Sequence, residues 1–256
     1  MKRTTPVRVS AAMLGTALAG LLAVPGVAFA VASGPAVPGG APAGPAQSSG
    51  PTCTPTTFAQ AQQQVASELS GRVTQLDTLM SAAGDAANHL TTSDRQTLQN
   101  DIGAVELPGI QGLQPQVQQA TTCGQLRLDA HTMVVAYRVY LVMTPQTHLT
   151  ISVDSESSIE ALLAGLEPSI ASAIQSAQAA GKNVTAAQAA DSDLQSQVTA
   201  AQAATNGLSA QILAQTPQGS PGNWQVFEAA RTSAANARTD LNAAYADARR
   251  ITADIA

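Results

Sequence analysis

Charged and aromatic residues are scarce in this chain of 256 residues. Only 11% of the residues are charged and 3% are aromatic, whereas 45% are hydrophobic and many of these are alanine. Alanine buries little apolar surface, so a core of such residues depends on helices that pack closely together. Lysine is rarer still, because Lys182 is the only one beyond the first thirty residues. A chain so poor in basic residues is not expected to bind nucleic acid.

The sequence also lacks the short motifs that mark common catalytic sites. It contains no HExxH zinc motif, no GxSxG nucleophile elbow, no P-loop and no GxGxxG turn. Pairs of carboxylates such as Asp191 and Asp193 lie near predicted helix starts, where they stabilise the helix dipole. We therefore expect no enzyme, no cofactor and no metal site.

The first thirty residues are typical of a secretory signal peptide. Lys2, Arg3 and Arg8 precede an apolar run without charges, and Ala28-Phe29-Ala30 offers a cleavage site after Ala30. We expect a secreted protein that is extracellular or associated with the cell envelope. Removing the signal changes the formal net charge from −5 to −8. Membrane insertion of the mature chain and adsorption to anionic lipid are therefore not expected.

A linker and one disulfide are predicted between the signal and the folded part. Residues 31–55 are rich in Pro, Gly, Ala and Ser and carry no charge, which predicts a disordered tether. Cys53 and Cys123 are the only cysteines, and an even pair in an exported protein favours a disulfide. Closing a loop of this length would stabilise the fold by about 4 kcal/mol.

The remaining residues, 56–256, carry the apolar spacing of helices. Thr54-Pro55 looks like a helix start, and apolar residues then recur every three or four positions. The last stripe is Phe227, Ala230, Ala234, Ala237, Leu241, Ala244, Ala248, Ile251 and Ile255. Such spacing predicts an all-α fold, an up-and-down antiparallel bundle of long, Ala-rich, coiled-coil-like helices.

Residues 126–153 form the densest apolar stretch of the mature chain and allow two interpretations. A buried helix kinked at Pro145 is favoured because the surrounding segments are helical. A β-hairpin around Thr144–Thr147 is the alternative, because β-branched residues are frequent here.

Arg138 is a charged residue within this apolar stretch, so its charge needs a partner if the stretch is buried. Tyr137 precedes it and Val139-Tyr140 follows it. A buried guanidinium needs a partner, so the expected arrangement is a structural ion pair with Asp154 or Asp129. An anion-binding arginine is the alternative.

The same region resembles a group of uncharacterised, secreted, partly coiled-coil helical proteins of high-GC Gram-positive bacteria. The residues that carry the resemblance are Leu126-Arg127-Leu128-Asp129, Tyr137-Arg138-Val139-Tyr140, Pro145, His148-Leu149, Asp154, Gly181 through Thr185, Thr216-Pro217 and the Ala-rich last helix. The resemblance implies export and a helical fold, and it assigns no catalytic or binding residue.

Two functions fit these observations. The favoured one is a secreted, non-enzymatic structural or binding module that meets an envelope or extracellular partner. The alternative is a carrier of small apolar ligands, with a pocket between helices that the region Tyr137–Val153 lines.

Overall fold

The computed structural model describes residues 54–256, so the predicted signal peptide, the linker and Cys53 lie outside the described residues. The described part contains eight α-helices and two π-helical segments. The α-helices are α1 (Pro55–Gly84), α2 (Thr92–Asn100), α3 (Leu107–Gln119), α4 (Cys123–Val135), α5 (Thr144–Ala179), α6 (Thr185–Thr205), α7 (Leu208–Leu213) and α8 (Asn223–Ile255). The π-helical segments are Asp101–Glu106 and Val139–Met143, and short 3-10 turns occur at Ala86–Asn88 and Pro217–Gly219.

The all-α class is confirmed, because residues 54–256 contain no strand. Helix α1 begins as the sequence predicts. The side chain of Thr54 accepts a hydrogen bond from the amide of Thr57, and the side chain of Thr57 accepts one from the amide of Thr54. Pro55 takes the first helical position. The helix therefore starts one residue before the predicted boundary of the helical domain.

The hairpin alternative for residues 126–153 is wrong, since this stretch is helical except for a short break at residues 136–138. The predicted kink at Pro145 is also misplaced. Pro145 lies in the first turn of α5, directly after the π-helical segment Val139–Met143. The chain turns instead at Arg138, which adopts a left-handed conformation with φ of 40° and ψ of 40°.

Helices α1 to α4 share one apolar core with parts of both π-helical segments. Its fully buried side chains include Leu69, Leu76, Leu98 and Ile102. The stretch from Gly112 to Cys123, which the glycine and proline content predicts to be irregular, is mostly helical because α3 continues to Gln119 with Pro115 inside it.

Helices α5, α6 and α8 form a second core. All nine positions of the apolar stripe predicted for α8 are buried, and five of them are alanines. Small side chains let helix backbones approach closely, and α6 and α8 pack along most of their length. A third cluster, centred on Phe227 and Ile212, joins the second core to the start of α5.

The spacing of Ile159, Leu162, Leu166 and Ile170 in the sequence predicts one apolar stripe along α5, and this prediction is wrong at its beginning. Ile159 and Leu162 are exposed, at 36% and 50%, whereas Glu156 and Glu160 are buried. The buried face of this part of α5 is thus polar, and hydrogen bonds reach Glu160 and Oε1 of Glu156, although Oε2 of Glu156 has no partner in the described part of the chain. No helix among residues 54–256 is long and apolar enough to cross a bilayer.

Candidate functional site

The carboxylate of Glu106 is buried at the end of a π-helical segment. In the segment Asp101–Glu106 the amide of Leu107 donates to the carbonyl of Ile102, five residues back. The wider turn shifts the helix register, so that Glu106 is 4% exposed and the neighbouring Val105 is 59% exposed. Such π-turns are rare and often occur at functional sites.

The second π-helical segment, Val139–Met143, follows the left-handed turn at Arg138. The carbonyl of Arg138 accepts from the amides of Leu141 and Val142, at 3.0 and 2.8 Å. The amide of Thr144 donates to the carbonyl of Val139, again five residues back. Met143, at the end of the segment, is buried.

Both π-helical segments line one cavity of about 640 Å³, which we call the Glu106 cavity. The end of α4, the start of α5 and the turn after α7 complete its walls. Its lining residues are Thr97, Asp101, Val105, Glu106, Ala136, Tyr137, Met143, Gln146, Leu213, Ala214, Gln215, Thr216, Pro217 and Gln218. The volume lies within the range of about 300–1,000 Å³ that is usual for small-molecule sites.

Gln146 fixes the turn after α7 and leaves one oxygen without a partner. Its Nε2 atom lies 3.2, 3.0 and 3.0 Å from the carbonyl oxygens of Ile212, Leu213 and Gln215. Carbonyl oxygens require a donor, so the NH₂ end of the amide must face them. The Oε1 atom of Gln146 then faces away from them and, although buried, has no hydrogen-bond partner in the described part of the chain.

Glu106 supplies a second unpartnered oxygen to the same cavity. Its Oε2 atom is buried and accepts no hydrogen bond from residues 54–256. Burial, and secondarily the charge of Asp101, raise the pKa of Glu106 to about 7. Burial also raises the pKa of Asp101. An unmatched buried acceptor is costly, so a ligand group that donates a hydrogen bond to either oxygen would be stabilising.

Tyr137 forms part of the wall through a close contact with α3. A methyl group at Gly109 would overlap the ring of Tyr137, so the absence of a side chain at Gly109 allows the ring to lie against the helix backbone. This contact explains why a glycine is tolerated inside α3.

The predicted ion pair of Arg138 with Asp154 or Asp129 is wrong. Among the described residues Arg138 forms no ion pair, and its buried Nε atom has no hydrogen-bond partner. The carboxylate of Asp154 instead accepts from the amide of Thr91 and the hydroxyl of Ser209, both at 2.8 Å. Asp129 is buried in α4 and has no ion pair either. The prediction assumed a continuous helix through this stretch, whereas the chain adopts a left-handed conformation at Arg138.

An ion pair with one buried partner, Glu156, joins α5 to α8. Nη2 of Arg238 lies 2.8 Å from Oε1 of Glu156 and 2.9 Å from Oγ of Ser152. Burial raises the pKa of Glu156, although the guanidinium of Arg238 opposes that shift. The pair is thus structural, because both of its partners lie in the helix packing of the second half.

A second cavity of about 580 Å³ lies beside Glu160 and the end of α6, and we call it the Glu160 cavity. The hydroxyl of Thr205 lies 3.0 and 3.2 Å from the two carboxylate oxygens of Glu160 and can donate its one proton to either. Glu160 thus has a donor within the protein, in contrast to Oε2 of Glu106.

Sequence reasoning missed both Glu106 and Gln146. The apolar spacing Leu98, Ile102 and Val105 favours Val105 as the interior residue, although Glu106, four residues after Ile102, fits the same helical face. The structure buries Glu106 and exposes Val105. The region Tyr137–Val153, predicted to line a pocket, does contribute Tyr137, Met143 and Gln146 to the Glu106 cavity. The residues 54–256 contain no cluster of three or more histidine, cysteine, aspartate or glutamate side chains that could hold a metal ion.

Cys53 lies outside the described residues, and its pairing with Cys123 stays a prediction. Cys123, at the start of α4, is not a free thiol. Comparison with protein-family models, with curated proteins and with solved structures finds no significant match, so the resemblance to secreted helical proteins also stays a prediction.

Proposed function

We propose that this protein is an exported, non-enzymatic binding module that holds a small molecule in the Glu106 cavity. One observation carries the proposal: two buried acceptor atoms, Oε2 of Glu106 and Oε1 of Gln146, lack partners and belong to residues that line the same cavity. Native proteins satisfy nearly all buried polar groups, so unmatched acceptors that line a ligand-sized cavity favour a bound donor.

The composition of the cavity wall supports binding rather than catalysis. Apolar side chains such as Val105, Met143 and Leu213 supply much of the wall, and a few polar groups can orient a ligand. No histidine, serine or cysteine is among the residues that line it, and the hydroxyl of Thr97 donates to the carbonyl of Ser93 rather than to a base.

The proposal also covers the arrangement of the helices and the location of the protein. We place α5, α6 and α8 in an up-and-down antiparallel bundle that supports the cavity side of the molecule. The signal peptide delivers the chain to the envelope or the exterior, where the ligand would be met.

Native mass spectrometry of the protein purified from its own culture medium tests the proposal. The expected result is a species heavier than the mature chain, which loses the extra mass on denaturation. Ala136→Phe, which fills the cavity, should abolish the adduct. Ala130→Phe is the control, because Ala130 is likewise half-buried but does not line the cavity.

An adduct that persists in Ala136→Phe would contradict the location of the site. A protein without any adduct that instead retains wall or envelope material would favour a purely structural module.

A further inference from the structure

We propose that the ligand of the Glu106 cavity is a small organic cation, an amine attached to an apolar body. The inference rests on the proposed function and adds the chemical class of the ligand. It follows from three properties of the wall: its unmatched oxygens both accept hydrogen bonds when Glu106 is ionised, its charges are negative, and its remaining surface is largely apolar.

The hydrogen-bonding character of the wall is fixed by geometry. Three carbonyls hold the NH₂ end of Gln146, so the side chain cannot flip to present a donor to the cavity. Glu106 presents an unpartnered carboxyl oxygen. A ligand group that matches both must donate more than one hydrogen bond, as an ammonium group does and an ether or a ketone does not.

The charge of the wall selects a cation. Asp101 and Glu106 line the cavity, whereas no lysine, arginine or histidine does. No cation within residues 54–256 shifts the pKa of Glu106, so its negative charge is uncompensated when it is ionised. A carboxylate or phosphate ligand would meet two acids and no base.

An inorganic cation fits the wall less well than an organic one. Calcium requires six to eight oxygen ligands and magnesium a near-octahedral set. The carboxylates of Asp101 and Glu106 are the only two among the lining residues, and apolar groups such as Met143 and Leu213 occupy much of the rest. These apolar groups suit the hydrocarbon part of an amine.

Titration calorimetry with three eight-carbon probes tests the inference: octylammonium, octanol and octanoate. Octylammonium should bind the wild-type protein at pH 8 more tightly than either other probe. Its affinity should fall about tenfold at pH 6, because only the ionised fraction of Glu106 then binds. The titratable groups that line the cavity are Asp101, Glu106 and Tyr137, and octylammonium stays charged throughout this range.

Two isosteric variants locate the effect. Glu106→Gln should bind octylammonium about tenfold more weakly at pH 8 and lose the difference between pH 8 and pH 6. Glu160→Gln removes a buried acid of the Glu160 cavity and should bind like the wild type. Ala136→Phe should not bind octylammonium, which would exclude a detergent-like association with the surface.

Three results would overturn the inference. Tighter binding of octanol or octanoate would do so while the proposed function stands, and octanoate binding that strengthens at pH 6 would identify an acid as the ligand. Octylammonium binding that Glu106→Gln leaves unchanged would also overturn it. If none of the probes binds, the amine is excluded, and the adduct in native mass spectrometry decides the proposed function separately.

Discussion

Arg238 of α8 donates a hydrogen bond of 2.8 Å to Glu156 of α5, whereas Arg138, for which the sequence predicts an ion pair with Asp154 or Asp129, forms none among residues 54–256. The side chain of Glu156 is 3% exposed and that of Arg238 is 40% exposed. The pair ties two long helices together across the second core. Its removal therefore tests the helix packing rather than the candidate site.

Arg238→Ala should destabilise the protein by about 2 kcal/mol, because the buried carboxylate of Glu156 loses its charged donor. Urea unfolding at pH 7 measures the loss. Arg249→Ala is the control, since Arg249 is exposed on the same helix and should change stability by less than about 0.5 kcal/mol. Equal stabilities of the two variants would contradict the pair.

Arg138 should behave as a residue of a left-handed turn and not as half of an ion pair. A side chain other than glycine costs about 1–2 kcal/mol in this conformation. Arg138→Gly should therefore be more stable than Arg138→Ala by about 1 kcal/mol.

A double-mutant cycle checks the same residue against Asp154. Arg138→Ala and Asp154→Ala should have additive effects on the free energy of unfolding, because the carboxylate of Asp154 is bound by Thr91 and Ser209. A coupling energy above about 1 kcal/mol would restore the ion pair expected from the sequence.

Ionisation of Glu106 should destabilise the unliganded protein. Its pKa rises from 4.5 to about 7 on folding, so the folded state holds the proton more tightly than the unfolded state does. The stability from this group is fully present below about pH 4.5 and is lost as the pH rises through 7. Glu106→Gln keeps the neutral form at every pH.

The free energy of unfolding of Glu106→Gln should thus exceed that of the wild type by about 3 kcal/mol at pH 8 and match it near pH 4. Urea unfolding of both ligand-free proteins at the two pH values measures the difference. Contributions from the other buried carboxylates cancel in the comparison. A difference that is the same at both pH values would show that Glu106 does not titrate as stated.

The predicted disulfide between Cys53 and Cys123 should be present in the exported protein. Intact mass after alkylation, with and without prior reduction, counts the free thiols. No label is expected without a reductant and two labels after reduction. Replacing both cysteines by serine should lower stability by about 4 kcal/mol. Two labels without reductant would contradict the disulfide.

The sequence predicts the fold best where apolar spacing is the only influence on burial. In α8 the stripe from Phe227 to Ile255 is buried at every predicted position. In α5 the spacing fails at Ile159 and Leu162, because buried carboxylates bound by Arg238 and Thr205 occupy the inner face. Such pairing depends on helices distant in the chain, which local periodicity does not contain.

The sequence did not predict the candidate site, because the burial of Glu106 depends on the local geometry of one helical turn. Spacings of three and of four from Ile102 both fit one helical face, so Val105 and Glu106 are equally allowed inside and the apolar side chain favours Val105. The structure buries Glu106 instead, at a π-turn that the sequence does not announce, although steps of four through Leu98, Ile102 and Ile110 do include position 106.

A crystal structure of the protein purified in its secreted form tests most directly whether the Glu106 cavity is a ligand site. We expect electron density for a bound molecule with a donor atom about 2.7–3.2 Å from Oε2 of Glu106, Oε1 of Gln146 or both. A closed cavity, in which protein groups donate to these two oxygens, would contradict the proposed function.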